Sequence, residues 1–254
     1  MTSLAGKAAL ITGGSRGIGA AIAVELARQG ASIFLAANDT DEHFKKVVRD
    51  CANANASAQV KYGIFDFFRE GDPEKMVAAA LQACGRVDIL VNNAGIRISK
   101  PFGEFTNKDF DQVILVNIKA AFMASQAVIP AMKANGGGRI IHIASQMGLV
   151  PDQDISLYGL TKAALIHLTK SMAFELAPHN ILVNAVSPGP TMTEFNVDRT
   201  NKNPAMKARR LSYLRTGRYV DPKEIADAVV FLATSSPASL LGHNLVVDGG
   251  YVTH

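Results

Sequence analysis

Residues 8–19 read Ala-Ala-Leu-Ile-Thr-Gly-Gly-Ser-Arg-Gly-Ile-Gly, and they lead directly into a segment with helical periodicity. The first five residues predict a buried strand, and the glycines at 13, 17 and 19 allow a tight turn between that strand and the helix. A helix N-terminus that follows such a turn attracts phosphate groups, and the glycines let the backbone approach a pyrophosphate. The stretch therefore predicts an open α/β fold with a nucleotide site at this turn.

The rest of the chain repeats the alternation of apolar, β-branched runs with longer segments of helical period, which is typical of parallel βαβ units. Strands are predicted at 8–12, 32–36, 59–65, 89–92, 139–144, 182–187 and 244–247. Helices are predicted at 17–29, 40–53, 73–84, 107–134, 157–177 and 222–234. Because the strands are almost continuously hydrophobic, we expect both faces of the sheet to be covered.

Composition favours one large core over several domains. The chain has 254 residues, of which 48% are hydrophobic and 19% charged, so we expect a single domain over residues 1–254. We find neither a leader-like N-terminus nor 18 consecutive apolar residues, and Cys51 and Cys84 have no metal-like spacing. These features predict a soluble, cytoplasmic protein with reduced thiols and no membrane partner.

The net charge of +4 raises the possibility of a nucleic-acid partner, but the basic residues are dispersed. The one dense group comprises Lys202, Lys207, Arg209 and Arg210. We interpret this group as a solvated helix face, so no nucleic-acid partner is predicted. The six histidines form no ligand-like pattern, and no metal site is predicted.

Tyr158 and Lys162 are four residues apart on a predicted helix, so their side chains share one face. Bringing a phenol from its ordinary pKa near 10 toward neutrality takes about 4 kcal/mol. An ammonium about 5 Å away supplies about 3 kcal/mol at an effective dielectric near 20. The pair can therefore act as a proton donor or acceptor, although the same spacing arises by chance when a lysine packs past a tyrosine ring.

The ordered set of motifs resembles the short-chain dehydrogenase/reductase family over essentially the whole chain, and its 3-oxoacyl-reductase-like members in particular. The motifs are the glycine turn, Asn92-Asn93-Ala94-Gly95, Asn117, Ser145, Tyr158 with Lys162, and Pro188-Gly189 followed by Thr191 and Thr193. The resemblance implies a Rossmann-type, doubly wound, seven-stranded parallel sheet in the order 3-2-1-4-5-6-7 with helices on both faces. It also implies a metal-independent enzyme that interconverts a ketone and a secondary alcohol.

The resemblance assigns a role to each catalytic residue. Tyr158 would donate or accept the proton, Ser145 would hold the substrate oxygen, and Asn117 would support a water-linked proton relay. Lys162 would lower the pKa of Tyr158 and bind the nicotinamide ribose. The implied cofactor-binding residues are Gly13, Ser15, Arg16, Gly17, Ile18, Gly19, Asn38, Asp66, Phe67, Asn93, Ala94, Gly95, Tyr158, Lys162, Pro188, Gly189, Thr191 and Thr193.

The choice of cofactor depends on charge near the end of the second strand. NAD-preferring members usually have an acid at the position of Ala37, whereas Ala37 leaves room and Asn38 offers hydrogen bonds to an adenosine 2′-phosphate. Arg16 resembles the basic residue that many NADP-preferring members place in the glycine turn. We therefore predict NADP(H), with NAD(H) possible because Asp39 would bind a ribose 2′-hydroxyl if the strand ends later.

The sequence predicts the class of reaction but does not identify one substrate. The segment 188–216 follows a strand end, contains three prolines and is interpreted as a substrate lid, with a surface connection as the alternative. Phe174 stands where we expect a basic residue for an acidic carrier protein, which favours a free ketone over a 3-oxoacyl carrier-protein substrate. The predicted substrate-binding residues are Ser145, Gln146, Gln153, Tyr158, Ile96, Met192 and Phe195.

The long helices 107–134 and 157–177 are apolar enough for an interface, and the resemblance implies a homotetramer or homodimer built through them. An NAD-dependent alcohol or sugar dehydrogenase and a non-catalytic nucleotide-binding protein are the alternative functions.

Overall fold

A computed structural model describes residues 3–194, 196–197 and 202–253. The strands are Ala8–Thr12 (β1), Ser32–Ala37 (β2), Val60–Ile64 (β3), Ile89–Asn92 (β4), Gly138–Ile143 (β5), Ile181–Pro188 (β6) and Asn244–Val247 (β7). Within the described residues they form one seven-stranded parallel sheet in the order β3-β2-β1-β4-β5-β6-β7. This topology confirms the predicted fold class. The order reverses between β1 and β4, which places a ligand crevice at their carboxyl ends.

The helices that flank the sheet begin and end close to the predicted positions, except for Pro204–Tyr213, which was not predicted and lies in the segment interpreted as a lid. They are Gly17–Arg28 (α1), Glu42–Ala54 (α2), Asp72–Cys84 (α3), Asn107–Ile114 (α4), Ala120–Ala134 (α5), Ser156–Leu176 (α6), Pro204–Tyr213 (α7) and Pro222–Thr234 (α8). Helix α8 begins at Pro222, as the sequence predicts, because Asp221 caps its N-terminus and forms a capping box with Glu224.

Alternate residues of each central strand face two separate apolar cores. In β1, Ile11 packs with helices α1, α2 and α8, whereas Leu10 packs with helices α3, α5 and α6. Both faces of the central strands are therefore covered, as the sequence predicts. The prediction is wrong for edge strand β3, where Lys61 and Tyr62 are exposed because a sheet edge has fewer neighbours to cover it.

Helices α4 and α5 form one long helical segment that is interrupted by a π-helical turn at Leu115–Lys119. Such turns are frequent at functional sites, and this one contains Asn117. Among the described residues, Asn107–Ala134 is the one helical stretch long and apolar enough to cross a membrane by length and composition. A core helix passes the same test, and here Ala124, Val128 and Met132 pack into the core.

Candidate active site

The glycine turn between β1 and α1 has the backbone that the sequence predicts. Gly13 and Gly17 have φ values of +62° and +58°, in the left-handed region that favours glycine. A Cβ at Gly19 would lie 2.3 Å from the Gly13 carbonyl oxygen, so this position admits no side chain. The turn therefore brings bare backbone to the N-terminus of α1, and this arrangement fits a pyrophosphate.

Asn93 holds this turn to the end of β4. Its Nδ2 donates to the carbonyl oxygens of Thr12, at 2.9 Å, and Gly13, at 3.0 Å. The Thr12 hydroxyl in turn accepts from the backbone N–H groups of Asn93 and Ala94, both at 2.9 Å. Asn93 therefore holds the glycine turn in place by hydrogen bonds to its backbone. The sequence motif alone does not reveal this role.

A cavity of about 170 Å³ lies on one side of this turn, and six of the predicted cofactor residues line it. They are Gly13, Asn38, Asp66, Phe67, Ala94 and Gly95. Asp66 accepts a hydrogen bond from the Phe68 N–H at 3.0 Å, and its own N–H donates to Asp72 at 3.0 Å. These bonds order the loop after β3, so its apolar wall and its carboxylate suit an adenosine group.

A second cavity, of about 190 Å³, contains the predicted catalytic residues Ser145, Tyr158 and Lys162. Seven further predicted cofactor-binding residues also line it: Ile18, Asn93, Gly95, Pro188, Gly189, Thr191 and Thr193. Because Gly95 borders both cavities, the two lie on either side of one backbone segment. This arrangement fits an extended dinucleotide that runs from the adenosine side to the catalytic side.

The remaining predicted cofactor residues lie around the glycine turn. Ser15, Arg16 and Gly17 border a third hollow beside α1. The Arg16 guanidinium lies 2.9 Å from the Asp41 carboxylate and 3.6 Å from that of Asp39. The predicted phosphate-binding arginine is therefore beside both acids.

Lys162 is buried beside the catalytic tyrosine. Its ammonium donates to the Ile143 carbonyl oxygen at 2.7 Å and lies 5.6 Å from the centroid of the Tyr158 ring. Burial lowers the pKa of Lys162 to about 8, because an ammonium loses hydration there. Tyr158 and Lys162 therefore lie close together, as predicted, and both are largely shielded from water.

The direction of the Tyr158 pKa differs from the sequence-based expectation. Burial raises the pKa of this phenol above its ordinary value, and a hydrogen bond with Ser145 opposes that rise. The expectation that Lys162 brings the phenol most of the way to neutrality is therefore wrong for this geometry. Desolvation of the phenolate decides the direction, and the phenol is protonated at neutral pH.

Asn117 is buried in the π-helical turn and bridges two segments of the site. Its Nδ2 donates to the Ile96 carbonyl oxygen and to the Thr161 hydroxyl, both at 3.0 Å, and its Oδ1 accepts from the Ile96 N–H at 2.8 Å. Thr161 precedes Lys162 on α6. Asn117 therefore fixes the loop after β4 against the catalytic helix.

The predicted substrate residues are only partly brought together. Gln146 is buried in the catalytic cavity and accepts a hydrogen bond from the Ser145 hydroxyl at 3.1 Å. Ile96 lines the adenosine-side cavity, whereas Gln153 and Met192 are exposed and border neither cavity. Phe195 lies outside the described residues.

Several residues of the catalytic cavity are missed by the sequence analysis. They are Arg97, Met147, Asp152, Ile155, Arg210 and Tyr251. Arg97 lies two residues after the Asn-Asn-Ala-Gly motif, which is a usable signal. Arg210 belongs to the basic group interpreted as a solvated helix face, and this interpretation is wrong for Arg210, which is only 7% exposed. Its helix α7 turns that one position toward the cavity and its other basic residues toward solvent.

Comparison with known proteins identifies the family of this chain. The short chain dehydrogenase family profile matches residues 7–204. An uncharacterized oxidoreductase of Escherichia coli K12 is 37% identical, with 98% of this chain and 94% of the relative covered. A 3-oxoacyl-[acyl-carrier-protein] reductase of Aquifex aeolicus is 34% identical, with 97% and 98% covered.

A solved short chain dehydrogenase from Burkholderia cenocepacia in complex with NADP has a TM-score of 0.90 and 35% identity, with 98% of this chain and 99% of that one covered. The chain therefore belongs to the short-chain dehydrogenase family of oxidoreductases.

Proposed function

We propose that the protein is an NADP(H)-dependent oxidoreductase that interconverts a ketone and a secondary alcohol, with Tyr158 as the general acid and base. The observation that supports this function best is the meeting of Ser145, Tyr158 and Lys162 around one cavity that borders the glycine-turn segment. A carbonyl that accepts hydride develops negative charge on oxygen, and a proton donor and a second hydroxyl are the groups needed there.

The chemistry follows from these side chains. Bound nicotinamide supplies or takes up the hydride at the substrate carbon. In the reductive direction, the Tyr158 phenol donates its proton to the substrate oxygen while the Ser145 hydroxyl donates a hydrogen bond to the same atom. The Lys162 ammonium stabilises the resulting phenolate, because a positive charge in a dry site acts strongly on a nearby anion. Asn117, which holds the Ile96 backbone against α6, would support a water-linked relay that returns the proton from solvent.

The pKa of Tyr158 bears on the direction of the reaction. Since burial raises it, the phenol is protonated at neutral pH and is already in the form that donates a proton. Alcohol oxidation needs the phenolate instead, and its share grows as pH rises. These considerations favour ketone reduction near neutral pH and alcohol oxidation in alkaline solution.

The choice of NADP(H) is supported by the wall of the adenosine-side cavity. Ala37 and Asn38 line it, whereas the Asp39 carboxylate lies 3.6 Å from Arg16. Ion pairs between exposed groups contribute at most about 1 kcal/mol, so a nearly dianionic phosphate can compete for the Arg16 guanidinium. Several solved relatives hold NADP or NADPH, including the Burkholderia enzyme. NAD(H) is the alternative, with Asp39 on a ribose hydroxyl.

A 3-oxoacyl carrier-protein substrate is the second candidate, because reductases of that activity are among the relatives. The surface favours a free ketone, because Phe174, which stands where a basic residue would meet an acidic carrier, is 87% exposed.

An exposed phenyl ring of this size also suits a contact between the subunits of a homodimer or homotetramer. We propose that this interface is built through the long helices.

A spectrophotometric assay tests this function. NADPH absorbance is followed with a panel of free ketones and with a 3-oxoacyl carrier protein, and the expected result is turnover of at least one free ketone. Turnover of the carrier-bound substrate alone would establish the second candidate. NADPH binding without turnover of any ketone or alcohol, in either direction, would contradict the proposed reaction.

A further inference from the structure

Arg210 occupies an unusual position for an arginine. It lies on α7 and is 7% exposed, whereas Lys207 and Arg209 on the same helix are exposed. Arg209 pairs with Asp152 at 2.8 Å, but no hydrogen bond or ion pair joins Arg210 to another residue within the described part of the chain. A guanidinium with so little exposure and no such partner among the described residues is well placed to bind an anion.

The surroundings of Arg210 indicate where that anion sits. Arg210 lines the same cavity as Ser145 and Tyr158, and Arg97 adds a second guanidinium to the wall. Among the described residues that line the cavity, Asp152 is the one carboxylate, and Arg209 already pairs with it. Among the described residues, the wall beside the reacting hydroxyls therefore holds more cationic than anionic side chains.

We infer that the substrate is a short oxo acid, or the corresponding hydroxy acid, whose carboxylate is bound by Arg210. This inference rests on the proposed function. A planar guanidinium matches the two oxygens of a carboxylate, and such charge-assisted pairs are strong and directional. The substrate carbonyl then lies at Ser145 and Tyr158 while the carboxylate lies at Arg210 and keeps its charge through the reaction. The cavity, of about 190 Å³, must hold the nicotinamide as well as the substrate, and this favours a short acid.

The test compares oxo acids of three to seven carbons, which span several spacings between carbonyl and carboxylate, with their methyl esters. The ester keeps the ketone and removes the charge. We expect wild-type kcat/KM to favour the best acid over its ester by about 10- to 100-fold, the range of a hydrogen bond to a charged group. Arg210→Gln should abolish this preference, mainly through KM for the acid, and change the ester little. Arg210→Lys, which keeps the charge, should retain part of the preference.

Lys207→Gln is the matched control, because it removes an exposed positive charge from the same helix. It should leave the preference for the acid unchanged. Equal kcat/KM for acid and ester in the wild type would overturn the inference, as would an Arg210→Gln variant that impairs both substrates equally. A variant that raises KM for NADPH instead of KM for the acid would also overturn it.

Calorimetric binding of the oxo acid, with NADP⁺ present to prevent ketone turnover, separates this inference from the proposed function. Binding that is lost in Arg210→Gln supports the anion site even if no ketone is reduced. Reduction of neutral ketones, with no binding of any acid, would leave the proposed reaction standing and refute the role of Arg210.

Discussion

Replacing the buried lysine of the catalytic pair should stabilise the fold while it removes activity. Burial holds the pKa of Lys162 near 8, against an ordinary value of 10.5. Each pKa unit is worth about 1.4 kcal/mol, so the charged lysine costs the native state about 3 kcal/mol at neutral pH. Lys162→Met removes this cost but also loses the hydrogen bond to the Ile143 carbonyl, which is worth about 1 kcal/mol. We expect a net gain of about 2 kcal/mol in the free energy of unfolding.

The stability gained by Lys162→Met depends on pH. Between pH 8 and 10.5 the unfolded lysine binds more protons than the native one, so the stability of the wild type rises with pH across this window. The advantage of Lys162→Met should therefore be greatest below pH 8 and shrink as pH rises toward 10.5. The variant should also lose cofactor affinity and kcat together, because the family resemblance implies that Lys162 binds the nicotinamide ribose and the proposed mechanism has it stabilise the Tyr158 phenolate.

Urea unfolding at pH 7 and pH 9.5 measures the effect, with the midpoints compared at equal slope. Lys170→Met is the matched control, since Lys170 is exposed on the same helix and its removal should change stability by less than about 0.5 kcal/mol. A Lys162→Met protein that is less stable than the wild type, or whose advantage is the same at both pH values, would refute the reasoning.

Two further predictions concern the cofactor and the assembly. Arg16→Ala should lower kcat/KM for NADPH by about 10- to 100-fold and leave kcat/KM for NADH nearly unchanged, because the variant loses the guanidinium that hydrogen-bonds the 2′-phosphate. Arg28→Ala, on the exposed side of α1, is the control. An equal loss for both cofactors in Arg16→Ala would contradict the phosphate role. Phe174→Glu should lower the solution mass measured by light scattering, because it places a charge in the proposed interface where a phenyl ring is 87% exposed in the single chain. A wild-type protein that is monomeric, or a variant with an unchanged oligomeric mass, would exclude the proposed interface.

Local chemistry made much of the fold predictable. The strands of the sheet are apolar and short, and each central strand begins and ends within about two residues of the predicted position. The glycine turn was predictable because few residues other than glycine tolerate the φ values at Gly13 and Gly17. The exposed surface of β3 was not, because a hydrophobic run does not reveal whether its strand lies at an edge.

The positions of site residues that belong to motifs are predictable from the sequence. Properties that depend on burial, such as a pKa or the direction in which a side chain points, are not. Ser145, Tyr158 and Lys162 meet as their spacing and order suggest. The rise in the Tyr158 pKa depends on lost hydration, which no spacing encodes. The burial of Arg210 is unpredictable for the same reason, since one position of a basic helix turns inward and only the packing of α7 shows which one.

The most direct test of the proposed function is the rate of ketone reduction by Tyr158→Phe, measured with saturating NADPH near pH 7. This substitution removes the hydroxyl that donates the proton and retains the ring, and NADPH should still bind at the concentration used, as measured by fluorescence titration. General acid catalysis contributes about 10²- to 10⁴-fold, and kcat should fall by at least that lower figure. Turnover within about threefold of the wild type, with NADPH still bound, would contradict Tyr158 as the acid and with it the proposed mechanism.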